Sequence, residues 1–355
     1  MKKSLIAMAI AGVIAAPMAA NAAEAKFFGY SQITAQMGKG SQGNEADGLL
    51  FGADRIRLGY KIKQGNAWGK LQFDLNKTDS SNVIGVPEII KDAVVGYKLD
   101  DAANVSAGLF KTPVGMDFNT SGKNLDITKR GMEKKLVLER AAGLMVSGRK
   151  IGGGFGYDVG VFNPTDRSSA VVGGEPGKDS AYAARVMYDM DKMLHVEASY
   201  GKSAKAAAAD NTQPSGKRGM GEDYSVYDLG AAYKMDAFTV KAEYIAGKNV
   251  RGTTNKENVW YLHGGFAINP MTEIVLRHYQ ASSKPDVTGL VDTKLGNTYV
   301  GANFFLAEKN NARIQLNYVF ASGDKGNAAG TAKLYNGIAG GYTDNILLAQ
   351  FQAGF

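Results

Sequence analysis

The stretch Asn345-Ile-Leu-Leu-Ala-Gln-Phe-Gln-Ala-Gly-Phe355 sets Leu347, Ala349, Phe351, Ala353 and Phe355 two residues apart. Successive side chains of a strand point to opposite faces, so this spacing reads as a strand with one apolar face. An amphipathic helix would space its apolar residues by three and four. The same alternation recurs upstream. In Asp54–Lys63, Ile56, Leu58, Tyr60 and Ile62 oppose Arg55, Arg57, Gly59, Lys61 and Lys63. In Trp68–Asn76, Leu71, Phe73 and Leu75 oppose Lys70, Gln72, Asp74 and Asn76. In Arg313–Phe320, Ile314, Leu316, Tyr318 and Phe320 oppose Arg313, Gln315 and Asn317.

About sixteen such segments can be placed, near 26–37, 52–63, 67–77, 89–98, 104–111, 141–149, 154–162, 181–189, 193–201, 224–234, 238–247, 258–267, 272–281, 296–306, 312–321 and 344–355. Segment 272–281 has a mixed face pattern. The connections alternate in length. Short ones such as Gln64–Asn66, Lys150–Gly153 and Met235–Ala237 carry turn residues. Between them lie long ones such as Gly38–Phe51, Thr112–Arg140, Asn163–Ser180 and Lys202–Asp223. A meander with tight turns at one end and long loops at the other is the pattern of a transmembrane β-barrel. The alternative is a soluble secreted β-sandwich or propeller. The alternating loop lengths and the apolar face that runs to the terminal Phe355, a residue that barrel assembly reads, favour the barrel.

The first 22 residues read as a cleaved signal peptide. Lys2 and Lys3 precede the apolar Leu5–Ala16, and Ala20-Asn21-Ala22 supplies small residues at a cleavage site. A membrane anchor is the competing reading, but the apolar run is short for one. The domain division is therefore a leader over 1–22 and one barrel over 23–355. Beyond Ala23 no apolar run approaches the roughly 18 to 20 residues of a membrane helix. The chain is then either soluble or crosses a membrane as strands.

Composition closes other routes. The chain has 355 residues, 45 glycines and no cysteine. Disulfides, thiol catalysis and Cys-type metal sites are thereby removed. Three histidines, His195, His263 and His278, lie apart on strands without ligand spacing, so no metal or cofactor is expected. Gly201-Lys202-Ser203 lacks the first glycine of a P-loop, Val196 standing there, and Gly152-Gly-Gly-Phe-Gly156 is more simply a hairpin turn. No Gly-x-Ser-x-Gly elbow is present, and no enzymatic activity is expected. Loss of Lys2 and Lys3 with the leader brings the formal charge from +7 to +5. The basic residues are scattered, which argues against nucleic acid.

The informative charges are those that alternation turns inward. A Lys or Arg facing lipid at mid-depth costs about 2 to 4 kcal/mol. Arg55, Arg57, Lys61 and Lys70 should therefore point into the lumen, with Arg149, Arg185, Lys241 and Arg313 as further lumenal positions and Asp74, Asp92, Glu197 and Glu243 as lumenal acids. Rungs of basic groups let an anion enter, bind and leave. The bland reading is a solvated wall without selectivity. The third long loop, Thr112–Arg140, holds Lys123, Lys129, Arg130, Lys134, Lys135 and Arg140 against Asp117, Asp126, Glu133 and Glu139. A long loop in a compact chain is usually functional. This one is expected to fold inward and narrow the pore, with Met132, Leu136 and Val137 packed on the wall. Its alternative is a solvated external loop.

At this loop the chain resembles the phosphate-selective porins of the O and P type. The resembling residues are Gly108-Leu-Phe-Lys-Thr-Pro-Val-Gly115, Glu139-Arg140, Gly143-Leu-Met-Val-Ser-Gly148 and Gly160-Val-Phe-Asn163. The chain departs from that pattern at Val114, where the family tends to have Phe, and at Pro164, where it tends to have Gly. The resemblance implies a homotrimer of sixteen-stranded barrels, an inward third loop and an arginine ladder with basic residues at the constriction. Lys111 and Arg140 lie inside matching segments. Arg55 and Arg57 match ladder positions in type and place only.

The expectation is an all-β protein, a transmembrane antiparallel barrel of about sixteen strands in the outer membrane of a Gram-negative bacterium. It would be a porin passing small anions by passive diffusion, phosphate-like oxyanions among them. The expected anion-pathway residues are Arg55, Arg57, Lys61, Lys70, Lys111, Lys123, Lys129, Arg130, Lys134, Lys135 and Arg140. Its surroundings would be outer-membrane lipid and lipopolysaccharide. A weakly selective general-diffusion porin, and an exported barrel that acts as surface scaffold or adhesin, are the alternatives the sequence leaves open.

Overall fold

The computed structural model describes residues 24–38, 48–76, 89–164, 180–203, 224–250, 255–284, 292–323 and 340–355. The expected leader, and much of the long connections other than the third, lie outside the described residues. One half of the barrel is β1 (Glu24–Met37), β2 (Leu49–Gln64), β3 (Ala67–Asp74), β4 (Ile90–Lys98), β5 (Asn104–Lys111), β6 (Arg140–Ile151), β7 (Phe155–Phe162) and β8 (Ala181–Met190). The other half is β9 (Leu194–Ser203), β10 (Tyr224–Met235), β11 (Phe238–Lys248), β12 (Lys256–Asn269), β13 (Thr272–Lys284), β14 (Thr293–Phe305), β15 (Ala312–Gly323) and β16 (Ile346–Gly354). The strands run in chain order around a closed sheet, and β1 pairs antiparallel with β16. Closure removes the free edges that an open sheet would leave unpaired. A sandwich of two sheets is thereby excluded, and each of the sixteen expected segments is a strand.

Phe355 belongs to the seam. Its N–H donates to Gly29 O at 3.0 Å, and its carbonyl accepts from Gly29 N at 3.3 Å. The turns at this end are tight. Between β6 and β7 the backbone takes φ of 52°, 88° and 129° at Gly152, Gly153 and Gly154. Such angles favour glycine, and a Cβ at Gly154 would lie 2.1 Å from Asp189 O.

The outer face carries the apolar half of each alternation. Leu347, Phe351 and Phe355 are 39%, 49% and 67% exposed. In register, Ala349 lies beside Leu316 and Phe351 beside Ile314, so the apolar rows of adjacent strands merge into one band. Outward aromatics gather at both rims. Phe155–Tyr188 and Phe238–Phe266 meet in tilted pairs near the tight turns, while Tyr227–Tyr244 (tilted) and Tyr318–Phe320 (edge-to-face) meet toward the long connections. This is the girdle arrangement of a membrane barrel.

The buried core is inside the barrel, where the third loop, residues 112–139, packs against inward side chains of the wall. Val114, Phe118, Leu125, Ile127, Met132, Leu136 and Val137 are all buried. The loop contains a helical turn, α1 (Met116–Asn119), and two 3-10 turns, Gly122–Asn124 and Met132–Lys135. It thus folds inward, with Met132, Leu136 and Val137 packed as expected. Arg140, read at the end of this loop from the sequence, is instead the first residue of β6.

Candidate functional site

Loop 3 is held across the lumen mainly by polar side chains of β9 to β16 and β1. Along residues 122–128 its backbone meets a row of amides. Gln32 Nε2 donates to Gly122 O at 2.9 Å and Gln352 Nε2 to Lys123 O at 3.1 Å. Gln315 Nε2 and Arg313 Nη1 both donate to Leu125 O, at 3.2 and 2.8 Å. Asn303 Nδ2 donates to Asp126 O at 3.0 Å and Gln350 Nε2 to Thr128 O at 3.2 Å. Thr128 N donates to Asn317 Oδ1 at 2.9 Å. These residues alternate along their strands, so period two supplies a comb of amides to one irregular backbone. On the far side Gly115 N donates to Ser199 Oγ at 3.2 Å, Asp117 N to Glu243 Oε2 at 2.9 Å, and the Tyr224 hydroxyl to Leu136 O.

The inner face of β2 to β6 is different. It presents charge and is more open. Arg57 Nε lies 2.9 Å from Asp74 Oδ2, and its Nη1 donates to the Tyr30 hydroxyl at 3.1 Å. Asp92 accepts from two cations, Arg140 Nε at 2.9 Å and the Lys70 ammonium. Lys61 and Lys70 pair in register and both approach the Phe28 ring, at 5.8 and 5.9 Å. Arg55 Nη1 donates to Gln32 Oε1 at 2.5 Å. A bulge sets this up. Gln32 pairs with Arg55 while Ile33 pairs with Ala53, so Asp54 is skipped in the ladder. Its carboxylate accepts from Thr34 Oγ1 and from Gln350 Nε2 at 2.8 Å, and Lys129 stands 3.1 Å away.

Loop 3 adds its own cations to this side. Arg130 Nε donates to Asp117 O at 3.0 Å, and Arg130 also donates to Thr120 O. Lys111, at the end of β5, donates to Phe118 O and, at 3.0 Å, to Thr120 O. Burial lowers the Arg130 guanidinium from its ordinary value, with Asp117 opposing. The result is a basic group around loop 3, with Arg55, Arg57, Lys111, Arg130 and Arg140 close enough to repel, continued by Lys70 and Lys61.

The remaining expected residues are placed apart. Lys123 bonds Asn311 in the tight turn between β14 and β15. Lys134 lies 3.8 Å from Glu139, and Lys135 is exposed beside Gly340. Lys129 is the partner of Asp54. Of the other lumenal cations, Arg185 Nη2 pairs with Asp158 at 2.6 Å, Arg149 Nη2 with the same carboxylate at 2.7 Å, and Lys241 with Asp126 at 2.8 Å. The sequence reading missed Arg277 of β13, which is fully buried against loop 3. The mixed pattern of β13 hid it. Its inner face holds Val275, Tyr279 and Ala281, because there the wall packs on loop 3 rather than facing water. Beneath loop 3, a cavity of about 380 Å³ opens between Asn124, Asp126, His195, Lys241, Glu273 and Asn303.

An apolar outer band, a polar interior and a loop folded across the lumen define an outer-membrane channel barrel. The chain belongs to the Gram-negative porin family, whose model matches residues 6–326. No curated protein matches it. Among solved structures it is similar to Salmonella typhi OmpF in complex with daunomycin, at 12% identity and a TM-score of 0.67 over 94% of this chain and 98% of that one. It is similar to an anion-selective porin from Comamonas acidovorans, at 15% identity and a TM-score of 0.65 over 94% and 100%. It is also similar to the trimer form of Vibrio cholerae OmpT, at 14% identity and a TM-score of 0.63 over 94% and 100%. At these identities the likeness concerns the fold.

Proposed function

We propose that this porin is a homotrimer, exported with its 1–22 leader removed, that passes small anions by passive diffusion, phosphate-like oxyanions among them. The observation that carries the reading is an imbalance on the open side of loop 3. Asp74 is matched by Arg57, and Asp92 is shared by Lys70 and Arg140. Arg55, Lys61 and Lys111 have no carboxylate within ion-pair distance among the described residues. Positive charge in a low-dielectric constriction lowers the cost of stripping water from an anion. The path runs from Lys61 and Lys70 to Arg140, Arg57, Arg55 and Arg130. Lys123, Lys129, Lys134 and Lys135 are outlying members of it. The likeness to an anion-selective barrel and to a trimeric one supports the reading. The outward band would face lipid and lipopolysaccharide.

A second reading, weakly selective general diffusion, is favoured by Asp54, Asp74 and Asp92, which lie on the same wall. Reversal potential across a planar bilayer in a KCl gradient separates the two. A clear anion-selective value is expected, and a value near zero supports general diffusion. A cation-selective value overturns the anion pathway. Added phosphate is expected to reduce the chloride current by competing for the same basic groups. Unchanged current would remove oxyanions from the reading while leaving the anion channel.

A further inference from the structure

Two stretches of loop 3, nine residues apart in sequence, meet one guanidinium of the wall. Arg277 lies in β13, in register with His263 of β12 and Tyr299 of β14. Its side chain is 1% exposed. Nη1 donates to Asp117 Oδ1 at 3.2 Å and to the Tyr279 hydroxyl at 2.9 Å, and Nη2 donates to Asp126 Oδ2 at 2.6 Å. The guanidinium carbon stands 4.4 Å from the centre of the Tyr261 ring and 5.8 Å from that of Tyr279. Lys241 of β11 adds a second cation to Asp126 at 2.8 and 2.9 Å. Asp117 belongs to α1, and Asp126 belongs to the stretch held by the amide comb.

Asp117 also faces the filter side. Its carbonyl accepts from Arg130 Nε at 3.0 Å, and its Oδ2 lies 3.7 Å from the same nitrogen. Arg130 is thus seated on the residue that Arg277 holds. A planar fork can reach two carboxylates in fixed directions while its face stacks on tyrosines, which an ammonium cannot do. We propose that Arg277 is a positioning residue for anion selectivity: it ties Asp117 and Asp126 to the wall, and through Asp117 it fixes where Arg130 stands.

This inference rests on the reading of Arg130 as part of the anion path, so the test separates the two. Wild type, Arg130→Gln, Arg277→Gln and Arg277→Lys are compared as trimers in planar bilayers under a KCl gradient. Arg130→Gln is expected to reduce anion preference, and Arg277→Gln to reduce it in the same direction with larger and noisier single-channel conductance. Arg277→Lys is expected to fall between, since an ammonium keeps the charge but lacks the planar fork that meets both carboxylates while stacking on the tyrosines. A shift in Arg130→Gln with wild-type behaviour in Arg277→Gln overturns the positioning role and leaves the filter. If Arg277→Gln does not assemble, Arg277→Lys decides: wild-type selectivity in it overturns the proposal. The chain has no cysteine, so Lys129→Cys gives a unique label on loop 3. Reaction with a charged maleimide is expected to be several-fold faster when Arg277→Gln, or Arg277→Lys where only that variant assembles, is added. If Arg130→Gln leaves selectivity unchanged the filter reading fails, and equal labelling rates then overturn the clamp as well.

Discussion

The inner wall of this barrel is two surfaces written in one alternating pattern. From β9 round to β1, inward side chains are buried, and their amides, tyrosines and arginines hold the irregular backbone of loop 3. From β2 to β6, the inward cations are partly open, with Asp54, Asp74 and Asp92 set among them. Arg57, Arg140 and Lys70 keep 11%, 18% and 29% of their surface. Alternation decides which residues face inward. Whether an inward residue builds the constriction or lines the passage depends on which wall loop 3 covers. The largest test of that division is charge reversal. Arg55→Glu with Arg57→Glu is expected to invert the sign of the reversal potential. Lys134→Glu with Lys135→Glu is expected to shift it slightly, because Lys134 is already offset by Glu139 and Lys135 is exposed. Equal effects from the two pairs would erase the distinction.

The packed surface is tested by truncation. Ile127 and Leu136 are both 0% exposed. Ile127→Ala or Leu136→Ala removes apolar contact and leaves a cavity, at a cost of about 2 to 5 kcal/mol for sites of this kind. Each is expected to lower the temperature at which the detergent-solubilised protein unfolds and to make open-channel current noisier. The control is Ile62→Ala on the outer face, 43% exposed, where no cavity forms. If Leu136→Ala behaves like Ile62→Ala, loop 3 is not packed on the wall as described.

The open surface is tested by unmasking. Asp92 accepts from both Lys70 and Arg140, so Asp92→Asn leaves two cations without their shared carboxylate. Anion preference is expected to rise, by less than charge reversal lowers it, because one charge is removed rather than two inverted. Unchanged or lower preference would show that Lys70 and Arg140 do not contribute to the path.

Much of this division was legible in the sequence and some was not. Strands such as Asp54–Lys63 and Arg313–Phe320 could be read because lipid on one side and polar groups on the other force period two. The apolar residues of loop 3 were legible for a different reason: Met132, Leu136 and Val137 have no place in a solvated loop. β13 was legible as a strand but its inward face was not, because where loop 3 covers the wall both faces carry apolar residues, and Arg277 stands among tyrosines. The bulge at Asp54 was also hidden. Alternation alone assigns Asp54 and Arg55 to opposite faces, and only the skipped pairing beside Gln32 brings Asp54 to Thr34 and Lys129. Pairings such as Arg140 with Asp92 depend on strand register and the path of the loop, which composition does not encode.

The smallest expected effect lies where the two surfaces meet. Glu133 in loop 3 is buried, and its Oε1 accepts from Gly131 N at 3.0 Å. Burial first, and then the Asp117 carboxylate, push its carboxyl up to about 8, while Arg277 and Arg130 pull the other way. In a loop released into water the same carboxyl would return to about 4.3. An acid whose docked value is raised favours docking when protonated. Its contribution is therefore complete below the ordinary carboxylate range, falls as pH rises toward about 8, and changes no further above that. Open-channel noise is expected to increase between pH 5 and pH 8 in the wild type. Glu133→Gln, which cannot ionise, is expected to flatten that dependence while keeping the anion preference set by the opposite wall. If Glu133→Gln keeps the full pH dependence, the titrating group lies elsewhere. If it also changes the reversal potential at pH 5, where Glu133 is neutral in either case, the two surfaces are coupled more tightly than their separate roles allow.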